Sequence, residues 1–482
     1  MINFRIIARV ISQMLIIEGL FMLISAFISF IYKEQAASPL FYSALITIVT
    51  GILVFTPLRN EERASGTREG YILIVGIWIV FSLFSTLPLI LSGSVHSFTD
   101  AFFESMAGFT TTAASIFESI ESIPHGIIFW RSVIQWLGGI GIIIFALSIF
   151  PVAKSINIQL SISDFSGQLS EKIHPKVSET AKRLIAIYIV ITFIEVLFLA
   201  AGGMPVFDAV CHSFSTISTG GFSTTNDSIA AYTSPFIRIV IIFFMFVAGT
   251  NMSLIYFGIK KNFGRVSGNN EFILYGLICF AFSLIAAVLL YVYSDFKAGN
   301  AIITGAFHII SIITTTGFYT HDYNNWSNLM ILLLFLLMFI GGMAGSPAGG
   351  IKILRILIIG KNIRKEIRRL IHPDAYLSAR VDNKNIPQSI VYNLLVYITL
   401  YLLVICAGTM IISIMDYDIF TAFSTSASMV GNIGPGIGTF GPFTNYSSFP
   451  AGGKWFLSSL MLIGRIELLT LIILFTKSFY KR

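Results

Sequence analysis

The chain has 482 residues, of which 55% are hydrophobic and 11% charged, with a mean hydropathy of +0.83. Soluble domains carry about 25% charged residues, so a water-soluble globular protein is excluded. The net charge of +7 could suit nucleic acid, but Lys and Arg gather at 5–9, 59–68, 154–183, 260–265, 352–384 and 477–482, each at the edge of an apolar run, which excludes a nucleic-acid face.

Ten apolar runs follow in chain order: 6–32, 38–57, 71–92, 126–151, 182–202, 236–259, 270–294, 327–360, 388–414 and 455–480. Most reach the roughly 20 residues that span a bilayer as a helix. The first is too long for a signal-peptide core and lacks a small-residue cleavage site, so it reads as a retained helix. With ten spans, every basic cluster falls on one side, and segments 93–125, 203–235 and 416–453 on the other side hold no Lys or Arg. The positive-inside rule then makes this a multi-pass protein of the cytoplasmic (inner) membrane with both termini cytoplasmic. Cys211, Cys279 and Cys406 lie in or beside apolar runs and read as buried thiols rather than a disulfide framework or metal cluster.

The segments on the non-basic side are too long for turns and too apolar for soluble loops. Four pieces align without gaps: "FTDAFFESMAGFTTTAAS" from Phe98, "VFDAVCHSFSTISTGGFS" from Val206, "IITGAFHIISIITTTGFY" from Ile302 and "IFTAFSTSASMVGNIGPG" from Ile419. Their third residues, Asp100, Asp208, Thr304 and Thr421, suit helix N-caps. Thirteen residues after that position stand Gly221, Gly317 and Gly434, and in the first piece Ala113. A second register would use Gly108, but it leaves a helix of about seven residues, so the spacing favours Ala113.

The expected fold is all-α: two leading helices (1–57), then four pseudo-symmetric helix–pore loop–helix units around a central pore (71–151, 182–259, 270–360 and 388–482), with a basic cytoplasmic linker at 361–387. A half-helix of about 10–12 residues cannot cross the bilayer and must re-enter, and non-helical backbone at that depth is tolerated only against protein or a water-filled cavity. Such loops suit a cation pathway. Backbone carbonyls replace a hydration shell, glycine permits the backbone this needs, and helix C-termini add negative potential. The expected ion-binding residues are Thr111, Thr112 and Ala113; Thr219, Gly220 and Gly221; Thr315, Thr316 and Gly317; and Asn432, Ile433 and Gly434. Acidic Asp100, Glu104, Glu118, Glu121, Asp208 and Asp227 lie near the mouth.

The fourfold pattern, with "QWLGGIGI" (135–142), "STISTGGFST" (215–224), "GGMAGSPAGGIK" (341–352), "NIGPGIG" (432–438) and "GRIE" (464–467), resembles the Trk/Ktr/HKT superfamily of cation transporters, and within it the bacterial TrkH-type potassium-uptake membrane subunits. The resemblance covers nearly the whole chain. It implies a monovalent-cation pathway, usually for K⁺, in a homodimer served by a cytoplasmic ring of nucleotide-binding regulatory subunits, with no cofactor in this chain itself. An enzyme is not expected, because no nucleophile–base pair or phosphate loop stands out.

Run 327–360 is too long for one span, and "GGMAGSPAGG" breaks it with five glycines and a proline in ten residues. The third unit is expected to be the one so broken. The resemblance makes this segment an intramembrane gating loop below the filter, with Gly341, Gly342, Gly345, Ser346, Gly349 and Gly350 as its residues. A simple kink is the alternative. Arg465 is expected near the centre of the last helix, about 15 Å from either end. An arginine there costs roughly 2.5–3.5 kcal/mol, so it should face a cavity or partner. Glu467, two positions on, should point elsewhere. The resemblance puts Arg465 in the pore beside the loop. Lys352 reads either as a gate residue or as snorkelling to the interface. Arg131, Gln135, His212 and His308 read as hydrogen-bonding residues behind the loops. The basic run 361–372 suits anionic lipid or a docked regulatory partner.

Ala113 departs from the family's usual glycine. Either its β-carbon costs about 1–2 kcal/mol in a left-handed conformation, or the carbonyl before it turns away and the coordinating ring loses one of four oxygens. Plant relatives with serine here are associated with Na⁺ preference. The expected function is therefore channel-like K⁺ uptake, with Na⁺ or mixed permeation as the alternative. A rocking secondary transporter needs loops from opposite faces, and here all four enter from one side.

Overall fold

Apolar segments without water around them satisfy their backbone only as helices, and helices dominate the computed structural model. It describes residues 2–59, 66–154, 177–294, 296–374, 377–382 and 384–480. The basic residues expected on the cytoplasmic side at 60–65, 155–176 and 481–482 lie outside the described residues. A two-stranded hairpin, Arg380–Val381 with Lys384–Asn385, is the exception among the described residues.

Helices Phe4–Ile31 and Ala37–Phe55 pack together as a hairpin. Glu34 in their turn accepts hydrogen bonds from the His125 backbone N (2.6 Å) and from Gly126 N (3.2 Å), tying the pair to the first unit. Each unit then contributes an outer helix, a short helix and an inner helix. The outer helices are Thr67–Leu91, Val177–Ala201, Asn270–Tyr293 and Gln388–Ser413. The short ones are Phe98–Phe109, Val206–Ile217, Ala298–Ile313 and Ile419–Gly431. Large apolar side chains such as Phe27, Leu53 and Phe280 lie outward, at 63%, 68% and 73% exposure, while every Ser and Thr of the short helices except Thr99 is buried. That arrangement suits hydrocarbon rather than water as the surrounding solvent.

Two expectations need correction. The third residues of the repeats are not the caps: the helices start behind Ser97, Pro205, Lys297 and Asp418. Asp100, Asp208 and Thr421 sit instead in the first turn, where a carboxylate still meets the positive end of the helix dipole, and Thr304 lies further in. The inner helices are also broken in three units, not one. Pro235–Ala248 and Met252–Ile259 meet at 106°, and Ala451–Arg465 and Leu468–Leu474 at 110°. In the third unit Asn328–Leu337 gives way to loop 338–352 before Ile353–Ile371. The first unit's inner helix, His125–Lys154, is continuous.

The true cap of the fourth short helix is Asp418, whose Oδ1 accepts from Thr421 N at 3.0 Å. The Thr421 side chain and backbone hold the Asp418 carboxyl below its ordinary range. A depressed carboxylate stabilises the fold above its unfolded pKa, and that contribution is lost as pH falls through the lower, folded value. Asp418→Ala should cost about 1 kcal/mol, read as a lower thermal midpoint at neutral pH, and the gap to the parent should close on acidification.

Candidate functional site

The short helices end alike. Thr112 N donates to Ala107 O, Gly220 N to Ser215 O, Thr316 N to Ser311 O and Ile433 N to Ser428 O, at 2.7, 2.7, 2.8 and 2.9 Å. These bonds span six residues, the Schellman closure that normally places glycine in the left-handed position. Here Thr111, Thr219, Thr315 and Asn432 occupy it, with φ of 52°, 55°, 55° and 55°. Asparagine tolerates this region, but a β-branched threonine is an outlier there. Such strain costs on the order of 1–3 kcal/mol and gathers at functional sites. The repetition was not foreseen from sequence. What it secures is a side-chain oxygen on each strand. Thr111 Oγ1 and Asn432 Oδ1 are buried without a protein hydrogen-bond partner.

Two residues further on, the four strands converge. Gly221, Gly317 and Gly434 have φ of 77°, 79° and 103°. A β-carbon on Gly221 or Gly317 would stand 2.8 or 2.9 Å from the Ala113 methyl, and one on Gly434 would stand 2.6 Å from Ala113 N and Cα. The Ala113 methyl thus faces Gly221 and Gly317, while Gly434 packs against the Ala113 backbone. Ala113 itself is not among the residues with positive φ, so its β-carbon meets no left-handed strain and the first strand departs here from the other three.

Two expected ligand carbonyls are held by protein. Gly220 O accepts from Gln135 Nε2 (2.7 Å) and Gly434 O from the Tyr446 hydroxyl (3.0 Å). A uniform inward ring of carbonyls is therefore not what surrounds Ala113. Thr112 Oγ1 accepts from Asn432 Nδ2 at 3.0 Å, joining the first and fourth strands.

Behind the strands, Arg131 and Gln135 share one helix face, as their spacing required. Gln135 Oε1 accepts from Phe222 N (3.0 Å), clamping the second strand with its bond to Gly220. Arg131 pairs with Glu104 at 2.8 Å, and both are buried. Glu104 Oε2 accepts from Ile116 N (2.9 Å), and the Arg131 guanidinium lies 4.3 Å from the Phe222 ring centroid. His212 Nε2 meets Ser223 Oγ (3.0 Å), and His308 Nε2 accepts from Thr320 N (3.4 Å). Glu104, His212 and His308, which stand at one position of the aligned repeats, thus brace the first three strands. Buried ion pairs need such additional bonds to offset desolvation. Above the convergence a cavity of about 170 Å³ is lined by Ala113, Glu118, Asp227, Tyr319 and Tyr446 among others.

Below it lies loop 338–352. Gly349 N donates to Thr315 Oγ1 at 2.7 Å, a direct bond between loop and strand. Gly345 and Gly350 take φ of 83° and 66°. Gly341 N donates to Ile351 O (2.6 Å) and Ile353 N to Gly342 O (3.1 Å), closing the loop at its neck. Ser346 Oγ turns inward to Met343 O (2.7 Å). Lys352 is buried, and its Nζ donates to Ser346 O (3.1 Å) and Ala348 O (2.5 Å), so it caps the loop and does not snorkel.

Arg465 donates to Pro347 O (2.5 Å) and Gly138 O (3.2 Å), from the last residue of its helix rather than mid-helix. Glu467 does point elsewhere. At φ 63° it accepts from Arg355 at 2.8 Å. A small cavity of about 40 Å³ under the loop is lined by Gly349, Gly350, Lys352, Arg355, Arg465 and Glu467. Lys454 to Asp100, at 2.6 Å, was also missed, because nothing local in sequence joins residues so far apart.

The family model described as "TrkH: Cation transport protein" matches residues 40–274 and 271–481. The chain is 34% identical to the Trk system potassium uptake protein TrkH of Escherichia coli (strain K12), over 99% of this chain and 100% of that protein. It is 32% identical to the Trk system potassium uptake protein TrkH of Halomonas elongata, over the whole of both chains. The solved structure of the potassium transporter TrkH from Vibrio parahaemolyticus superposes with a TM-score of 0.89 at 30% identity, covering 100% of both chains.

Proposed function

This chain belongs to the TrkH family of cation transport proteins, and on that premise we propose that it takes up K⁺ across the cytoplasmic membrane by a channel-like route. The four converging strands form the selectivity filter, 111–113, 219–221, 315–317 and 432–434. The observation that carries this is the fourfold left-handed residue ending each short helix, each bearing a side-chain oxygen, of which Thr111 Oγ1 and Asn432 Oδ1 are buried without a protein partner. Oxygen donors at that depth substitute for water around a cation, and the four helix C-termini add negative potential.

The gate is loop 338–352, held under the filter by Gly349 and Thr315, with the Arg465 guanidinium beside it. While the loop is closed, that fixed positive charge repels a cation leaving the filter. Opening requires Arg465 and Lys352 to release the loop carbonyls. The protein works as a homodimer with both termini cytoplasmic. A cytoplasmic nucleotide-binding ring acts on the inner ends, and basic helix Ile353–Ile371 faces that ring or anionic lipid.

A second reading, Na⁺ or mixed Na⁺/K⁺ permeation, is favoured by one observation, the Ala113 methyl among the filter glycines. Rb⁺ and Na⁺ uptake into proteoliposomes separates the two. A Rb⁺ rate well above the Na⁺ rate is expected, equal rates overturn strict K⁺ selectivity, and no uptake of either ion overturns the pathway itself.

A further inference from the structure

One buried carboxylate lies outside the machinery described so far. Glu271 occupies the first turn of helix Asn270–Tyr293 and is fully buried. Its Oε1 accepts from Ala344 N at 2.7 Å and from Leu354 N at 3.2 Å. Ala344 enters the apex of loop 338–352, and Leu354 opens the helix that leaves it. One oxygen therefore holds the two sides of the loop together. The second bond also places negative charge at the N-terminus of helix Ile353–Ile371, where the helix dipole favours it.

The helix that carries Glu271 is itself anchored from the cytoplasmic hairpin. Asp382 Oδ1 accepts from Asn270 N (2.8 Å) and from Asn270 Nδ2 (2.9 Å), and Asp382 Oδ2 from Asn269 Nδ2 (3.3 Å). The loop apex meets the break in the second unit as well. Asn251 Nδ2 donates to Ala344 O, and Met343 N donates to Gly249 O at 2.9 Å. Ala344 is thus held on both its carbonyl and its amide, and Glu271 extends that hold to the exit helix, beyond the neck bonds Gly341–Ile351 and Gly342–Ile353.

We propose that Glu271 is the positioning residue that keeps the loop closed, by stapling its entry at Ala344 to its exit at Leu354. The inference rests on the reading of loop 338–352 as the gate. Glu271 never touches the ion, so its loss shifts the balance of closed and open states and leaves selectivity alone.

The test compares the full chain in proteoliposomes with Glu271→Ala, Glu271→Gln and a variant lacking residues 345–349. Glu271→Ala removes both charge-assisted bonds, and basal Rb⁺ influx should rise about tenfold with the Rb⁺/Na⁺ ratio unchanged. Glu271→Gln keeps an acceptor oxygen and should rise only about two- to threefold. In parallel, Ala348→Cys, in a background where Cys406, exposed and not buried as its apolar run suggests, is changed to Ser, should react faster with a membrane-impermeant thiol reagent from the cytoplasmic side when Glu271 is Ala. A merely destabilised protein would lose influx, and a filter defect would move the ratio. If the shortened loop raises influx and Glu271→Ala does not, the role of Glu271 is overturned while the gate stands. If neither does, the gate reading fails and this inference with it. If Glu271→Ala fails to insert, Glu271→Gln decides: influx and thiol reactivity both at the parent level overturn the proposal.

Discussion

Ala113→Gly should raise the Rb⁺ over Na⁺ flux ratio by about tenfold, equivalent to ~1.4 kcal/mol of discrimination. The other three strands reach this level through a left-handed glycine, at Gly221, Gly317 and Gly434. Ala113 does not follow them, because its β-carbon disfavours that region by about 1–2 kcal/mol. Its methyl lies against Gly221 and Gly317, where an apolar group gives a dehydrated cation nothing to bind. Glycine removes the methyl and lets the first strand adopt the shared conformation, which brings a backbone oxygen toward the ion beside Thr111 Oγ1 and Asn432 Oδ1, the two that no protein group holds. A more complete shell discriminates between ions of different radius by the number and field of its donors. The measurement is paired Rb⁺ and Na⁺ uptake under identical gradients. A ratio equal to that of the parent would show that Ala113 does not limit selectivity.

Arg465→Ala should increase cation influx by at least tenfold without moving that ratio. A unit charge ~6 Å from the ion path, at an effective dielectric of about 20, opposes a cation by about 3 kcal/mol. The same substitution frees Pro347 O and Gly138 O, so the loop loses a tether as well as the pathway losing a barrier. Arg465→Lys separates the two effects. It keeps the charge but not the planar fork that reaches both carbonyls, and its influx should fall between alanine and parent. The outcome that sinks the idea is an alanine variant that inserts normally and conducts no faster than the parent.

Both substitutions concern features that the sequence marks unevenly. The helices and the fourfold repeat are legible because helical hydrogen bonds are local and membrane depth imposes a long apolar run wherever the chain crosses. The short helices begin at Phe98, Val206 and Ile419, where the aligned repeats begin. The caps were misplaced by a few residues, because a carboxylate in the first turn and one at the cap satisfy the same electrostatic demand. The bend after Ala248 has no such mark: "GTNMS" looks unremarkable beside "GGMAGSPAGG", yet it packs against that very loop. The Glu104–Arg131 pair is not legible as a pair, since nothing in the linear order joins a short helix to the helix after its loop.

By itself, then, the sequence determined an all-helical membrane protein of four repeated units, the strands that meet, and the one alanine among their glycines. Only the tertiary structure decided what surrounds that alanine, that Lys352 turns into the loop instead of toward lipid, that Arg465 ends a helix rather than centring one, and that Glu271 joins the two sides of the loop. The reason is range. Periodicity and composition report on neighbours a few residues apart, whereas contacts such as Asn432 to Thr112 or Arg465 to Gly138 join first and last units, and exist only once all four have closed around a common centre.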